Sequence, residues 1–247
     1  MQALAIESSP YNQEVTVFEV NRLYGETGRF RCLKFADEAI QGAIDLNEPG
    51  RVVLPYQRAL LRIMELIDPA HESAFVIGHG IGTIAGHLSS KRIKVAEIDA
   101  NVVALSRRYF DYRGDNVAIG DGREILSKEE PNSYGYIVLD AFNSKGTPLH
   151  LTTTEFFEIA SERLAPGGAF LLNIMGKIHG DRLIDAIHST LRLTYENVRV
   201  FALPADHKSE ARNLILMGSQ REYDFQPQEA VGVIEVQLEQ GHIRRDV

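Results

Sequence analysis

The chain has 247 residues, 44% of them hydrophobic, which suits one large α/β domain or one domain with a small appendage. A formal net charge of −8 argues against a nucleic-acid-binding surface, and the single cysteine, Cys32, excludes an intrachain disulfide and a multi-cysteine zinc site while fitting a reducing compartment. No apolar run approaches the ~18 residues of a membrane helix and no secretory signal is apparent, so a cytoplasmic protein without membrane or nucleic-acid partners is expected.

Residues 1–50 differ in character from the rest. Strand-like runs at 14–20, 30–35 and 40–46, separated by turn residues, predict a small antiparallel β-domain. The pair Pro49-Gly50 marks a break, and 51–247 reads as a second, larger domain. Apolar residues at helical spacing predict a helix over 55–67, with Pro55 suited to its first turn. A short apolar strand at 75–77 leads into Gly78, Gly80 and Gly82, a helix over 83–90 and a strand over 93–98. Further on come a helix over 101–110 and a strand over 117–119 ending at Gly120-Asp121-Gly122. A helix then begins at 123–126, followed by a strand over 136–139 that ends in Asp140. A helix over 152–164 is stopped by Ala165-Pro166-Gly167-Gly168. Then follow a strand over 169–174, a helix over 181–193 and strands over 198–202 and 213–217. A helix is expected over 229–238, and mobile residues after it. Such alternation implies a mostly parallel sheet covered on both faces.

The stretch 75–99 is the first half of a nucleotide-binding βαβ unit. Its glycines permit a sharp strand-to-helix turn and let a ligand lie against bare backbone, and the following helix offers free N–H groups. The spacing is not G-x-G-x-x-G. With an acidic second strand it looks more like the Rossmann-like, seven-stranded fold of S-adenosylmethionine-dependent methyltransferases. Glu97, Asp121 and Asp140 each sit at a strand tip, where an open parallel sheet forms its crevice. Glu97 suits ribose hydroxyls, Asp121 an exocyclic amine, and Asp140 an acceptor substrate. A single aspartate at such a tip can equally cap a helix, and Asp99 is expected to cap the helix from Asn101.

Several stretches resemble the spermidine synthases, or polyamine aminopropyltransferases, in a divergent branch. Ser9-Pro10-Tyr11, Ala39-Ile40-Gln41, Tyr56-Gln57, Glu97-Ile98-Asp99, Gly120-Asp121-Gly122 and Asp140 match the family's motifs. The resemblance implies a homodimer or homotetramer and transfer of an aminopropyl group from decarboxylated S-adenosylmethionine to an amine acceptor, with no metal. It implies donor contacts from Gln41, Gly78, His79, Gly80, Gly82, Glu97, Ile98, Asp121, Gly122 and Asp140, and catalytic roles for Asp140, as base, and Tyr56. His150 is a further candidate for substrate contact, and 145–149 for a gate. Three departures stand out. Arg58 replaces a glutamate, Asn143 replaces a second aspartate, and Ile81 replaces an acid expected near the cationic end of the donor. Transfer of a methyl group from intact S-adenosylmethionine, or nucleoside binding without catalysis, are the alternatives.

Overall fold

A computed structural model describes residues 2–36, 39–68, 70–143, 146–205, 211–230 and 232–246. The first four strands, β1 (Gln2–Ser9), β2 (Gln13–Leu23), β3 (Glu26–Phe35) and β4 (Ile40–Asp45), form an antiparallel sheet in sequential order. The first of them carries no strong alternation and was not expected. It exists because β2 pairs with it from Gln2↔Glu19 to Ser9↔Gln13. Alternate side chains serve two apolar clusters. Val15, Val17 and Leu33 pack with Ile81, Val102, Leu105 and Phe110, while Phe18, Phe30 and Cys32 pack with Val53 and Leu54. Cys32 is fully buried, and burial pushes its thiol up to about 12.

The remaining elements are α1 (Pro55–Ile67), β5 (Ser73–Ile77), α2 (Thr83–His87), β6 (Arg92–Glu97), α3 (Ala100–Tyr109), β7 (Val117–Ile119), α4 (Gly122–Ser127), β8 (Tyr134–Leu139), α5 (Thr154–Arg163), β9 (Leu164–Gly176), α6 (Arg182–Thr194), β10 (Asn197–Ala202), β11 (Arg212–Ser219) and β12 (Ile234–Glu235). The second sheet runs β12-β10-β11-β9-β8-β5-β6-β7. Pairings among β5 to β9 are parallel, while β11 runs antiparallel to β9 and β10. The chain reverses its direction of travel across the sheet between β5 and β8, and ligand crevices open at such a switch point.

Helix α1 buries Gln57, Leu60, Leu61, Met64 and Ile67, the 3–4 spacing that predicted it. Three expectations are corrected. The run 165–168 does not stop a helix before a fresh strand. Strand β9 starts directly at Leu164, and the Pro-Gly-Gly residues bulge out of its ladder with β8, where pairing jumps from Tyr134↔Leu164 to Tyr136↔Ala169. The described residues of 229–238 form no α-helix. They hold β12, an eighth strand added to the expected seven, paired with β10 through Phe201↔Glu235 and Ala202↔Ile234.

The tail is pinned rather than loose. Glu239 N–H donates to Asp185 (3.1 Å), Gly241 N–H to Ser189 (2.8 Å) and Arg244 N–H to Thr190 (2.9 Å). Asp246 receives Arg123 through both guanidinium nitrogens at 2.8 and 2.5 Å.

Ile81 lies in the seam between the two sheets, 4% exposed and against Gly42. Restoring an acid there by Ile81→Asp is expected to cost about 2–4 kcal/mol of stability. Chemical denaturation reads this loss; an unchanged midpoint would place the seam elsewhere.

Candidate active site

A cleft of about 370 Å³ opens at the carboxyl ends of β5, β6, β7 and β8, roofed by the N-terminal sheet. Gly78 makes its floor possible. The residue adopts φ +97°, and a Cβ there would lie 2.1 Å from the Asp140 carbonyl oxygen. The tips of β5 and β8 therefore close on each other, an approach also secured by Asp140 N–H donating to the Ile77 carbonyl (2.8 Å).

Glu97 ends β6 with 8% exposure. Its carboxylate accepts from the backbone N–H of His79 (2.8 Å) and of Asp99 (2.9 Å). Burial raises its pKa, and these backbone donors oppose the rise. The group ties the glycine turn to β6 and still faces the cleft. Asp99 caps α3 as expected, accepting from Asn101 N–H, and its other oxygen receives the Ser9 hydroxyl at 2.5 Å. That contact draws the β1–β2 turn, with Tyr11 and Asn12, over the cleft.

Asp121 does two things at once. One oxygen caps α4, accepting from Arg123 and Glu124 N–H; the other receives His150 Nε2 at 2.7 Å. His150 thus sits at the same end of the cleft as Asp121.

Asp140 is half-buried between α1 and β9 and lines the cleft. Tyr56 donates its hydroxyl to Oδ2 (3.0 Å) and Asn173 donates Nδ2 to Oδ1 (2.8 Å). Burial raises the Asp140 pKa, and the two donors lower it. Burial, with the nearby Asp140 charge, pushes the Tyr56 pKa well up, so its hydroxyl stays a donor. Gln57 donates Nε2 to the Tyr56 hydroxyl (3.2 Å), while its buried Oε1 has no partner among the described residues. A buried unpaired acceptor lining a cleft is suited to receive an N–H or O–H from a ligand.

Gln41, Tyr56, Gly78, His79, Gly80, Glu97, Ile98, Asp121, Gly122, Asp140, Asn143 and His150 all line this one cleft. Three residues stand outside it. Gly82 is the N-cap of α2 at φ +85°, pressed on Tyr112, so its role is the turn itself. Ile81 faces the inter-sheet seam, and the expectation that it meets the cationic end of the donor is corrected. Arg58 turns back to the Val52 and Val53 carbonyls (3.0 and 2.7 Å). The proposed gate at 145–149 begins at Lys145, outside the described residues; Pro148 and Leu149 lie on the cleft wall. Asn12, Gln57 and Asn173 join the site without having been expected there. A lone asparagine inside the apolar run of β9 was the available signal for the last.

The chain is similar to known proteins. The spermine/spermidine synthase domain matches residues 53–211. The chain belongs to the spermine/spermidine synthase family. Relatives in the family include the polyamine aminopropyltransferase of Chromobacterium violaceum, 31% identical over 189 residues covering 73% of this chain and 70% of that protein. That of Vibrio vulnificus is 28% identical over 214 residues, covering 81% and 68%. In fold, the structure of a probable spermidine synthase from Corynebacterium glutamicum matches with TM-score 0.82 at 23% identity, covering 98% of this chain and 96% of that one.

Within this spermidine synthase frame the His79 ring turns away from the cleft. Ser106 Oγ gives its proton to the Val103 carbonyl (2.9 Å) and so accepts from His79 Nε2 (2.7 Å). Nδ1 is buried without a partner among the described residues, and Tyr112 packs edge-on. Burial, helped by the Arg107 charge, lowers the His79 pKa from 6.5 to about 4. The folded state therefore favours the neutral ring. Its contribution is complete above pH 6.5 and is lost as pH falls toward 4. Wild-type stability should drop across that window by about 3 kcal/mol more than that of His79→Gln. Parallel pH curves for the two proteins would remove His79 as the cause.

Proposed function

We propose that this chain is a cytoplasmic aminopropyltransferase, moving an aminopropyl group from decarboxylated S-adenosylmethionine to a small amine. The observation that carries the proposal is the convergence of Glu97, Asp121 and Asp140 from neighbouring strand tips on one cleft. Its volume suits a nucleoside-sized ligand.

The charge of the lining supports the choice of donor. Three carboxylates and no lysine or arginine line the cleft among the described residues. Such a lining disfavours a donor that carries its own carboxylate and favours a cationic side chain. The unpaired Gln57 Oε1 adds an acceptor for an ammonium hydrogen.

The donor, when bound, supplies a carbon made electrophilic by its sulfonium. The work left to the protein is to hold an amine in line and unprotonated. Asp140 receives the proton that the amine sheds as its lone pair forms the new N–C bond and the C–S electron pair leaves with sulfur. Burial of Asp140 raises its proton affinity above that of a free carboxylate, which suits a proton acceptor better. Tyr56, a fixed donor, keeps the carboxylate in one orientation. Glu97 accepts ribose hydroxyls with Gln41 nearby, and Asp121 accepts the exocyclic amine. Gly78, Gly80 and Gly122 supply walls with no side chain in the way, and Ile98 supplies an apolar one. A homodimer is part of the proposal, supported by exposed Ile6 and Tyr24 on the N-terminal sheet.

Incubation with decarboxylated donor and a panel of diamines, followed by mass spectrometry, should yield methylthioadenosine and an amine heavier by one aminopropyl group. Methylated amine formed from intact S-adenosylmethionine would replace this reading with the alternative transfer. Asp140→Asn should lower turnover about 10²–10⁴-fold while methylthioadenosine still binds in calorimetry. Glu97→Gln should weaken that binding about tenfold in a protein that remains folded; wild-type affinity would withdraw the ribose role.

A further inference from the structure

The groups that grip Asp140 are themselves held from behind. On one side Gln57 Nε2 donates to the Tyr56 hydroxyl, which donates to Asp140 Oδ2. On the other, Asn213 of β11 donates Nδ2 to Asn173 Oδ1 at 3.0 Å, and Asn173 Nδ2 donates to Asp140 Oδ1 at 2.8 Å. Strands β9 and β11 pair Asn173 with Ile215, so Asn213, two residues along, is its diagonal neighbour on the same face. Asn173 is 1% exposed and has no access to bulk water to correct a wrong orientation.

The two ends of a primary amide have nearly the same shape and opposite polarity. Turned over, Asn173 would present its carbonyl oxygen to Asp140. That oxygen repels a carboxylate and can be satisfied only by a protonated acid. Asn213, donating its N–H₂ to Asn173 Oδ1, favours the orientation that turns the Asn173 N–H toward Asp140.

We propose that Asn173 and Asn213 are positioning residues: Asn213 fixes the Asn173 amide with its N–H toward Asp140, so that Asp140 is presented as a charged, acceptor-only carboxylate. The proposal rests on the reading of Asp140 as the base of amine transfer. Among the described residues the ionisable group against Asp140 is Tyr56 from α1; β5 offers backbone only, and β9 offers the neutral Asn173. Loss of the Asn173 donor therefore leaves burial opposed by Tyr56 alone.

The test follows the Asp140 carboxyl in the full chain by infrared difference spectroscopy, its band being the one lost in Asp140→Asn. No turnover is needed, so the relay is judged even if the chain transfers another group or none. Asn173→Ala and Asn213→Ala should each raise the proton affinity of Asp140 by at least about tenfold, with methylthioadenosine affinity unchanged. Asn213→Asp, which offers only acceptors, should raise it at least as far. An Asp140 titration at its wild-type position in Asn213→Ala overturns the role of Asn213, and the same result in Asn173→Ala overturns both. In an active enzyme the acid limb of kcat/KM should move to higher pH with recovery on the alkaline side; a pH-independent loss would indicate structural damage and overturn the proposal. If Asn173→Ala fails to fold, the less buried Asn213→Ala decides the matter.

Discussion

The site depends on one close approach. Two strand tips meet where Gly78 has no side chain, and the Asp140 backbone occupies the space a Cβ would need. That contact brings a carboxylate into a cleft walled by backbone and sets it beside β9, which supplies Asn173. Any larger residue at 78 would collide with the Asp140 carbonyl and force the two strand tips apart. The glycine turn therefore serves to place the Asp140 carboxylate as much as to line the cleft.

Around this contact the carboxylates divide their labour by how they are solvated. Glu97 exchanges water for backbone N–H groups, Asp121 for a helix start and an imidazole, and Asp140 for a phenol and an amide. Each therefore remains a directed acceptor while sharing a confined space with the others. Spermine/spermidine synthase relatives share the domain, and here the part of the cleft around Asp140 is lined by the neutral polar groups Gln57 and Asn143.

Much of this was readable from the chain because it is written locally. The spacing of Leu60, Met64 and Ile67 marks α1, and Asp99 and Asp121 precede helices in the way N-caps do. Acids at the ends of apolar runs become a cluster once the sheet is parallel. What stayed hidden depends on distant partners. β1 is a strand because β2 lies beside it, and the tail is ordered because α6 and Arg123 offer it donors and acceptors. Ile81 and His79 lie in the glycine turn, where some groups face the cleft and others face away. Only the packing of the N-terminal sheet and α3 decides which is which. Asn213 gave no warning, since its partner is forty positions away.

The sole thiol of the chain is sealed inside the N-terminal sheet, and its burial keeps it protonated at ordinary pH. The folded protein is therefore silent toward thiol-reactive dyes. A reporter installed at the exposed cleft rim, for instance through Leu149→Cys, would be the one attachment point, with no need to strip the native sulfur first.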